Sequence, residues 1–102
     1  MQASIGFPIH WSANHGGCNV AGVLEFDVLP APGDFVGLAD PPNREVLPHA
    51  GFEGRLRVEG RTFLPGAPAR VLLTLEPIVV DTEIKAEMLK QYFARAFGFS
   101  AD

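Results

Sequence analysis

The amino-acid sequence predicts a mainly β fold, a small barrel or sandwich of roughly six to eight short, mostly antiparallel strands with one C-terminal amphipathic α-helix. The 11 Gly and 9 Pro residues are spread along the chain, which favours short strands joined by tight turns. Apolar and polar residues alternate up to residue 80, where the period changes to that of a helix. We expect a single domain over residues 1–102, β-rich at 1–80 and helical at about 82–97.

The first half of the chain contains three candidate strands. Residues 3–9 form the first, and Gly6 and Pro8 within it suggest a position at the edge of a sheet. Residues 20–29 alternate clearly, with the acidic side chains on one face. Residues 34–38 are long enough only for a brief strand.

The clearest strand pattern lies at residues 52–59, where apolar and charged side chains alternate strictly. Glu59-Gly60 then offers a turn, after which residues 61–64 would run back antiparallel. Pro65-Gly66 is a second turn signal. The strand at 71–75 has Leu on both faces, so both faces are expected to be partly covered.

The C-terminal segment has the signals of a helix from about Glu83 to Phe97. Asp81 or Thr82 can form the N-cap, and Gly98 can end the helix. One apolar stripe recurs at spacings of three and four residues, formed by Ile84, Met88, Leu89, Tyr92, Phe93, Ala96 and Phe97. This stripe is expected to cover the domain's own core.

A second interpretation of the same helix is an interface. Tyr92, Phe93, Phe97 and Phe99 would then pack on a second subunit or on a protein partner, because aromatic side chains are enriched in the cores of interfaces. On this interpretation the protein is a homo-oligomer, the simplest being a homodimer.

Charge and hydropathy exclude several classes of protein. The net charge is −4 and the first 43 residues contain no Lys or Arg, so nucleic acid is an unlikely partner and general binding to an anionic membrane is disfavoured. No apolar run is long enough to span a membrane and no signal-peptide pattern is present. With a single cysteine, no internal disulfide is expected. These features predict a cytoplasmic protein.

The densest group of metal-ligating residue types is His10, His15 and Cys18, with His49 as a further member. Imidazole and thiolate are good zinc ligands, so a zinc site is one hypothesis. The spacing matches no standard zinc motif, and the alternative is that both histidines are loop residues and Cys18 is a small, partly buried side chain.

Cys18 is also a candidate nucleophile, with His15 or His10 as base. No Lys or Arg lies in this stretch to activate the thiol. Glu25 and Asp27 share one strand face and form a candidate acid–base pair, but a solvated strand face has the same pattern. No coherent catalytic set therefore emerges, and the protein is more consistent with a binding module than with an enzyme.

Four arginines form a candidate ligand-binding patch: Arg55, Arg57, Arg61 and Arg70. Guanidinium groups bind phosphate or carboxylate through two parallel hydrogen bonds, so a small anionic ligand or an acidic protein surface would fit. Glu53 and Glu59 are expected on the same face as Arg55 and Arg57, and cross-strand ion pairs would also explain the pattern.

The segment LPGAPARVLLTL, residues 64–75, resembles a turn and a strand of the small barrel modules of translation factors. The likeness is confined to those residues and includes no nucleotide-binding motif. It implies no function for this chain.

The leading functional hypothesis is a small non-enzymatic binding or accessory module that recognises a protein or a small anionic ligand. The alternative is a metal-binding protein or small metalloenzyme that uses the loop of His10, His15 and Cys18.

Overall fold

A computed structural model describes residues 1–11, 17–38, 52, 54–65 and 70–101, without the side chain of Arg70. The described elements, in chain order, are β1 (Gln2–His10), β2 (Gly17–Glu25), β3 (Phe35–Gly37), β4 (Arg55–Leu64), β5 (Arg70–Leu75), β6 (Ile78–Val79), α1 (Glu83–Phe97) and β7 (Ser100–Ala101). The prediction of a mainly β fold with one helix near the C-terminus is confirmed.

The described strands belong to one sheet with the order β3-β4-β5-β1-β2-β7, and β6 also pairs with β1. Neighbouring strands are antiparallel, except that β5 and β6 both run parallel to β1. The sheet has two ends and does not close into a barrel.

β1 lies in the centre of the sheet, so the expectation of an edge strand was wrong. Its residues Ser4 to Gly6 pair with β5, whereas Ile9 and His10 pair with β6. Pro8 lies between these two paired segments. A central strand tolerates proline there because the parallel partner is interrupted and no ladder hydrogen bond requires the missing N–H.

β4 is one continuous strand, and the turn expected at Glu59-Gly60 was also wrong. The register against β5 shifts between Val58 and Gly60, which is a β-bulge. A bulge changes the face on which the following side chains lie, because it inserts one residue into a pattern with period two. Arg61 therefore pairs with the core residue Leu73 and lies on the core-side face, opposite to Arg57.

The core lies between one face of the sheet and α1. Alternate strand residues supply it, among them Ile5 and Phe7 of β1 and Leu73 of β5. From the helix, Phe93 is fully buried and contacts the ring of Phe7 edge to face, with centroids 5.0 Å apart. Burial of such apolar surface is the main stabilising term of the fold.

Both ends of α1 follow the sequence signals. The Thr82 side chain accepts a hydrogen bond of 3.2 Å from the N–H of Lys85. Gly98 has a φ of 72°, in the left-handed region that glycine favours. The N–H of the next residue, Phe99, donates to the carbonyl of Phe93 at 3.2 Å. The chain thus reverses, and Phe99 packs back on the helix as expected.

Candidate functional site

An open groove of about 560 Å³ lies between β3, at one end of the sheet, and the end of β2. Three parts of the chain line it: β2 with the segment after it, β3, and the last turn of α1. The lining residues are Leu24, Glu25, Phe26, Val28, Leu29, Pro30, Asp34, Phe35, Val36, Gly37 and Phe97. Ligand sites in proteins commonly enclose about 300 to 1,000 Å³, so the groove has the size of a binding site.

The floor of the groove is the margin of the hydrophobic core. Leu24, Phe26, Leu29 and Phe97 are partly buried and pack against the core cluster. Phe35 and Val28, in contrast, are 49% and 82% exposed. An open groove with an apolar floor and exposed apolar side chains at its walls is typical of a surface that a partner covers.

β3 forms one wall and is an edge strand. In the described part of the chain it pairs only with β4. The N–H of Leu38 donates to Gly54, and the carbonyl of Asp34 accepts from Val58. Because alternate residues of a strand direct their main-chain groups to opposite sides, the N–H and C=O groups of Phe35 and Gly37 point away from β4, into the groove.

The charged groups that line the groove are both carboxylates. Glu25 accepts a hydrogen bond of 2.8 Å from the terminal ammonium group of Met1. Asp34 accepts one of 2.8 Å from the N–H of Ala31, which fixes the turn before β3. Among the residues that line the groove there is no Lys, Arg or His.

Arg55 lies beside the groove on the outer face of β4. Its guanidinium carbon is 4.1 Å from the ring centroid of Phe35. Such a cation–π contact holds the arginine and the ring together. Arg61 makes a looser stack on Phe63, at 5.4 Å, on the other face of the same strand.

The structure separates two of the residues that the metal hypothesis groups together. Cys18 pairs with Ile9 and is buried in the core. His10 pairs with Gly17 and is exposed. Neighbouring positions of a strand point to opposite faces, so His10 and Cys18 cannot converge on one ion from this register. His15 and His49 lie outside the described residues, and within those residues no group of three metal-ligating side chains forms.

The arginine patch is divided in a similar way. Arg55 and Arg57 share the outer face of β4, and the Nε atom of Arg57 lies 3.7 Å from a carboxylate oxygen of Glu76, the residue directly after β5. Arg61 lies on the opposite face, and the side chain of Arg70 is outside the described part of the structure. Binding of an anion by these residues stays a prediction, with Arg55 and Arg57 as the pair that lies together.

The helix aromatics are largely internal. Tyr92, Phe93 and Phe99 are at most 4% exposed and pack with one another and with Phe52. Only Phe97 of the four reaches the surface, as part of the groove. The apolar stripe is narrower than expected, because Ile84 and Met88 are 75% and 43% exposed. Self-association through the helix stays a prediction.

Comparison with models of protein families, with curated proteins and with solved structures finds no match to this chain. Within the described residues, α1 is the one helix and it is too short and too polar to cross a membrane. The site must therefore be interpreted from its own geometry.

Sequence reasoning missed the groove. The alternation at residues 20–29 predicts a strand that includes Val28 and Leu29, but β2 ends at Glu25. Val28 and Leu29 lie instead in the Pro-containing connection after β2, where they form part of the groove wall. Apolar side chains in a connection between two strands that do not pair with each other are a usable signal for such a site.

Proposed function

We propose that this chain is a non-enzymatic binding module that takes an extended segment of a partner protein into the groove between β2 and β3. The observation that carries the proposal is the groove itself, about 560 Å³ in volume and bounded on one side by the edge strand β3. Edge strands beside apolar grooves are a recurring means of peptide recognition, because the main chain supplies affinity and the groove selects side chains.

The chemistry of the lining supports peptide binding over catalysis. Nine of the eleven side-chain positions are apolar or glycine, and the other two are Glu25 and Asp34. Both carboxylates are engaged by N–H groups of the chain. A partner would cover Phe35 and Val28, and burial of exposed apolar area contributes roughly 25 cal/mol per Å² to association.

The test is selection of peptides from a display library of random 12-residue sequences on the immobilised protein. We expect enriched peptides that share a pattern, and we expect Phe35→Ala to weaken their binding about tenfold, as truncation of an aromatic anchor does. Phe63→Ala is the matched control, because Phe63 is also an exposed phenylalanine that stacks with an arginine but does not line the groove.

Two results would contradict the proposal. One is the absence of any enriched sequence. The other is a set of peptides that bind Phe35→Ala as well as the wild type, or that lose binding equally with Phe63→Ala. Urea unfolding of each variant separates loss of binding from loss of fold.

A second candidate function is recognition of a small anion at Arg55, favoured by the guanidinium group held 4.1 Å from the Phe35 ring. Arg57 lies on the same face and would add a second charge. Titration with inorganic phosphate, followed by the midpoint of thermal unfolding, tests this function. Stabilisation that Arg55→Ala removes and Arg61→Ala retains would support it, since ligand binding raises stability by linkage.

A further inference from the structure

We propose that the bound segment is a strand with a basic residue beside its central apolar residue, and that this strand pairs through its main chain with β3 and extends the sheet across the groove. This inference rests on the proposed function and names the mode of binding and the chemistry of the partner. It follows from three features of the groove: the main-chain groups of the edge strand, the apolar floor and the charge of the lining.

The main-chain groups of Phe35 and Gly37 set the register. They point away from β4, as the hydrogen bonds of Asp34 and Leu38 to that strand require. A strand added beside β3 would exchange hydrogen bonds with Phe35 and Gly37 through every second residue of its own. A side chain at Gly37 would point to the outer face, where no described atom lies within 4 Å of a Cβ built there, so the sheet tolerates alanine at this position.

The apolar floor then selects the intervening residue of the partner. The side chain of Val36 points into the core and is 4% exposed, whereas those of its two neighbours point outwards. Side chains directly across from one another on paired strands lie on the same face. The partner residue opposite Val36 would therefore point towards Phe97 and Leu29, where an aliphatic or aromatic side chain fits.

Charge identifies one flanking residue of the partner as basic. Of the two carboxylates in the lining, Glu25 is ion-paired with the terminal ammonium group of Met1 at 2.8 Å, whereas Asp34 forms no ion pair within the described residues. Asp34 stands at the start of β3, where the added strand would enter or leave the groove. A Lys or Arg beside the apolar residue of the partner would pair with Asp34. If the added strand were β3 of a second copy of this chain, it would bring another Asp34 and not a basic residue.

The experiment uses a 12-residue peptide selected on the wild-type protein and a series in which one amide nitrogen at a time is methylated. Calorimetry should show a period of two. Methylation at alternate positions is expected to weaken binding at least about tenfold, and methylation between them to change it by less than about twofold, because only alternate N–H groups face β3.

Two substitutions at Gly37 test the same main-chain contact by changing the protein and not the peptide. Gly37→Pro removes the N–H that faces the groove without removing a bond to β4, and should weaken the selected peptide about tenfold. Gly37→Ala retains the N–H and should bind as the wild type does. Replacement of the peptide's basic residue by norleucine, and Asp34→Asn in the protein, should each weaken binding about threefold, and less at high salt.

The possible failures are distinguishable. If the library yields no peptide, the proposed function fails. If peptides bind at the groove but methylation is tolerated throughout, or if the bound sequences are acidic, the strand pairing or the charge assignment is overturned and the proposed function stands. If sedimentation shows a dimer that Gly37→Pro converts to a monomer, the occupant is a second copy of the chain and the basic partner is overturned.

Discussion

The hydroxyl group of Tyr92, on α1, donates a hydrogen bond of 2.6 Å to the carbonyl oxygen of Leu38, directly after β3. Both residues are at most 1% exposed. This bond ties the helix to the edge strand that forms one wall of the groove. It also gives the buried carbonyl oxygen of Leu38 a hydrogen-bond donor.

Tyr92→Phe removes the bond and retains the ring. We expect a loss of about 1 to 3 kcal/mol in the free energy of unfolding, because the buried Leu38 carbonyl loses its donor. Urea unfolding measures the loss. Ser100→Ala is the control, since its hydroxyl bond to Ala21 is exposed and 3.4 Å long, and it should cost less than about 0.5 kcal/mol. Equal effects of the two substitutions would contradict the assignment.

Gly22 is required because the ring of Phe99 lies directly on it. A methyl group at this position would collide with the ring, which is buried and stacks on both Phe93 and Phe97. We expect Gly22→Ala to destabilise the protein by about 1 to 3 kcal/mol, the usual cost of overpacking.

The control for Gly22→Ala is the same substitution in the Phe99→Ala background, measured as a double-mutant cycle. The cost of Gly22→Ala should disappear there, because the two residues are in direct contact. Additive losses of stability would show that the glycine is needed for a reason other than the ring.

Thr82 begins α1 by accepting the N–H of Lys85. Thr82→Ala should lower stability by about 1 kcal/mol, whereas Thr82→Asp should retain it, since Asp is an equally good N-cap. Thermal and urea unfolding report both values. A similar loss with Asp would indicate that the threonine acts through some contact other than the cap.

Cys18 is buried among core residues, with 7% of its surface exposed. We expect iodoacetamide to modify it at least about tenfold more slowly in the folded protein than in urea, because the thiol reacts only after the hairpin opens. As the single cysteine of the chain, it gives an unambiguous rate. A native rate equal to the unfolded rate would restore the hypothesis of a reactive nucleophile.

Local signals in the sequence were sufficient for the helix. Thr82, Gly98 and Phe99 act through neighbours within a few positions of the chain, so their roles can be derived from spacing alone. The buried faces of the strands follow for the same reason, since alternation at Leu56 and Val58 is a local property.

The features that the sequence did not predict depend on pairing between strands that are distant in the chain. The central position of β1 depends on β5 and β6, which come late in the chain. The bulge in β4 moved Arg61 to the other face, and no residue type at Glu59-Gly60 distinguishes a bulge from a turn. The groove exists because β2 and β3 follow one another in the chain but do not pair with each other. That arrangement depends on the order of all the strands and cannot be derived from either strand alone.

The parallel pairing of β1 with β5 has a consequence for biosynthesis. During translation, β1 and β2 emerge early and can form a hairpin, but the second edge of β1 has no partner until the residues near Leu72 have left the ribosome. Non-local parallel pairing is intrinsically slow, because the loop must be closed before the contacts form. The pairing of β5 with β1 should therefore set the folding rate, and substitutions at Leu73 should slow refolding more than those at Val20 in the early hairpin.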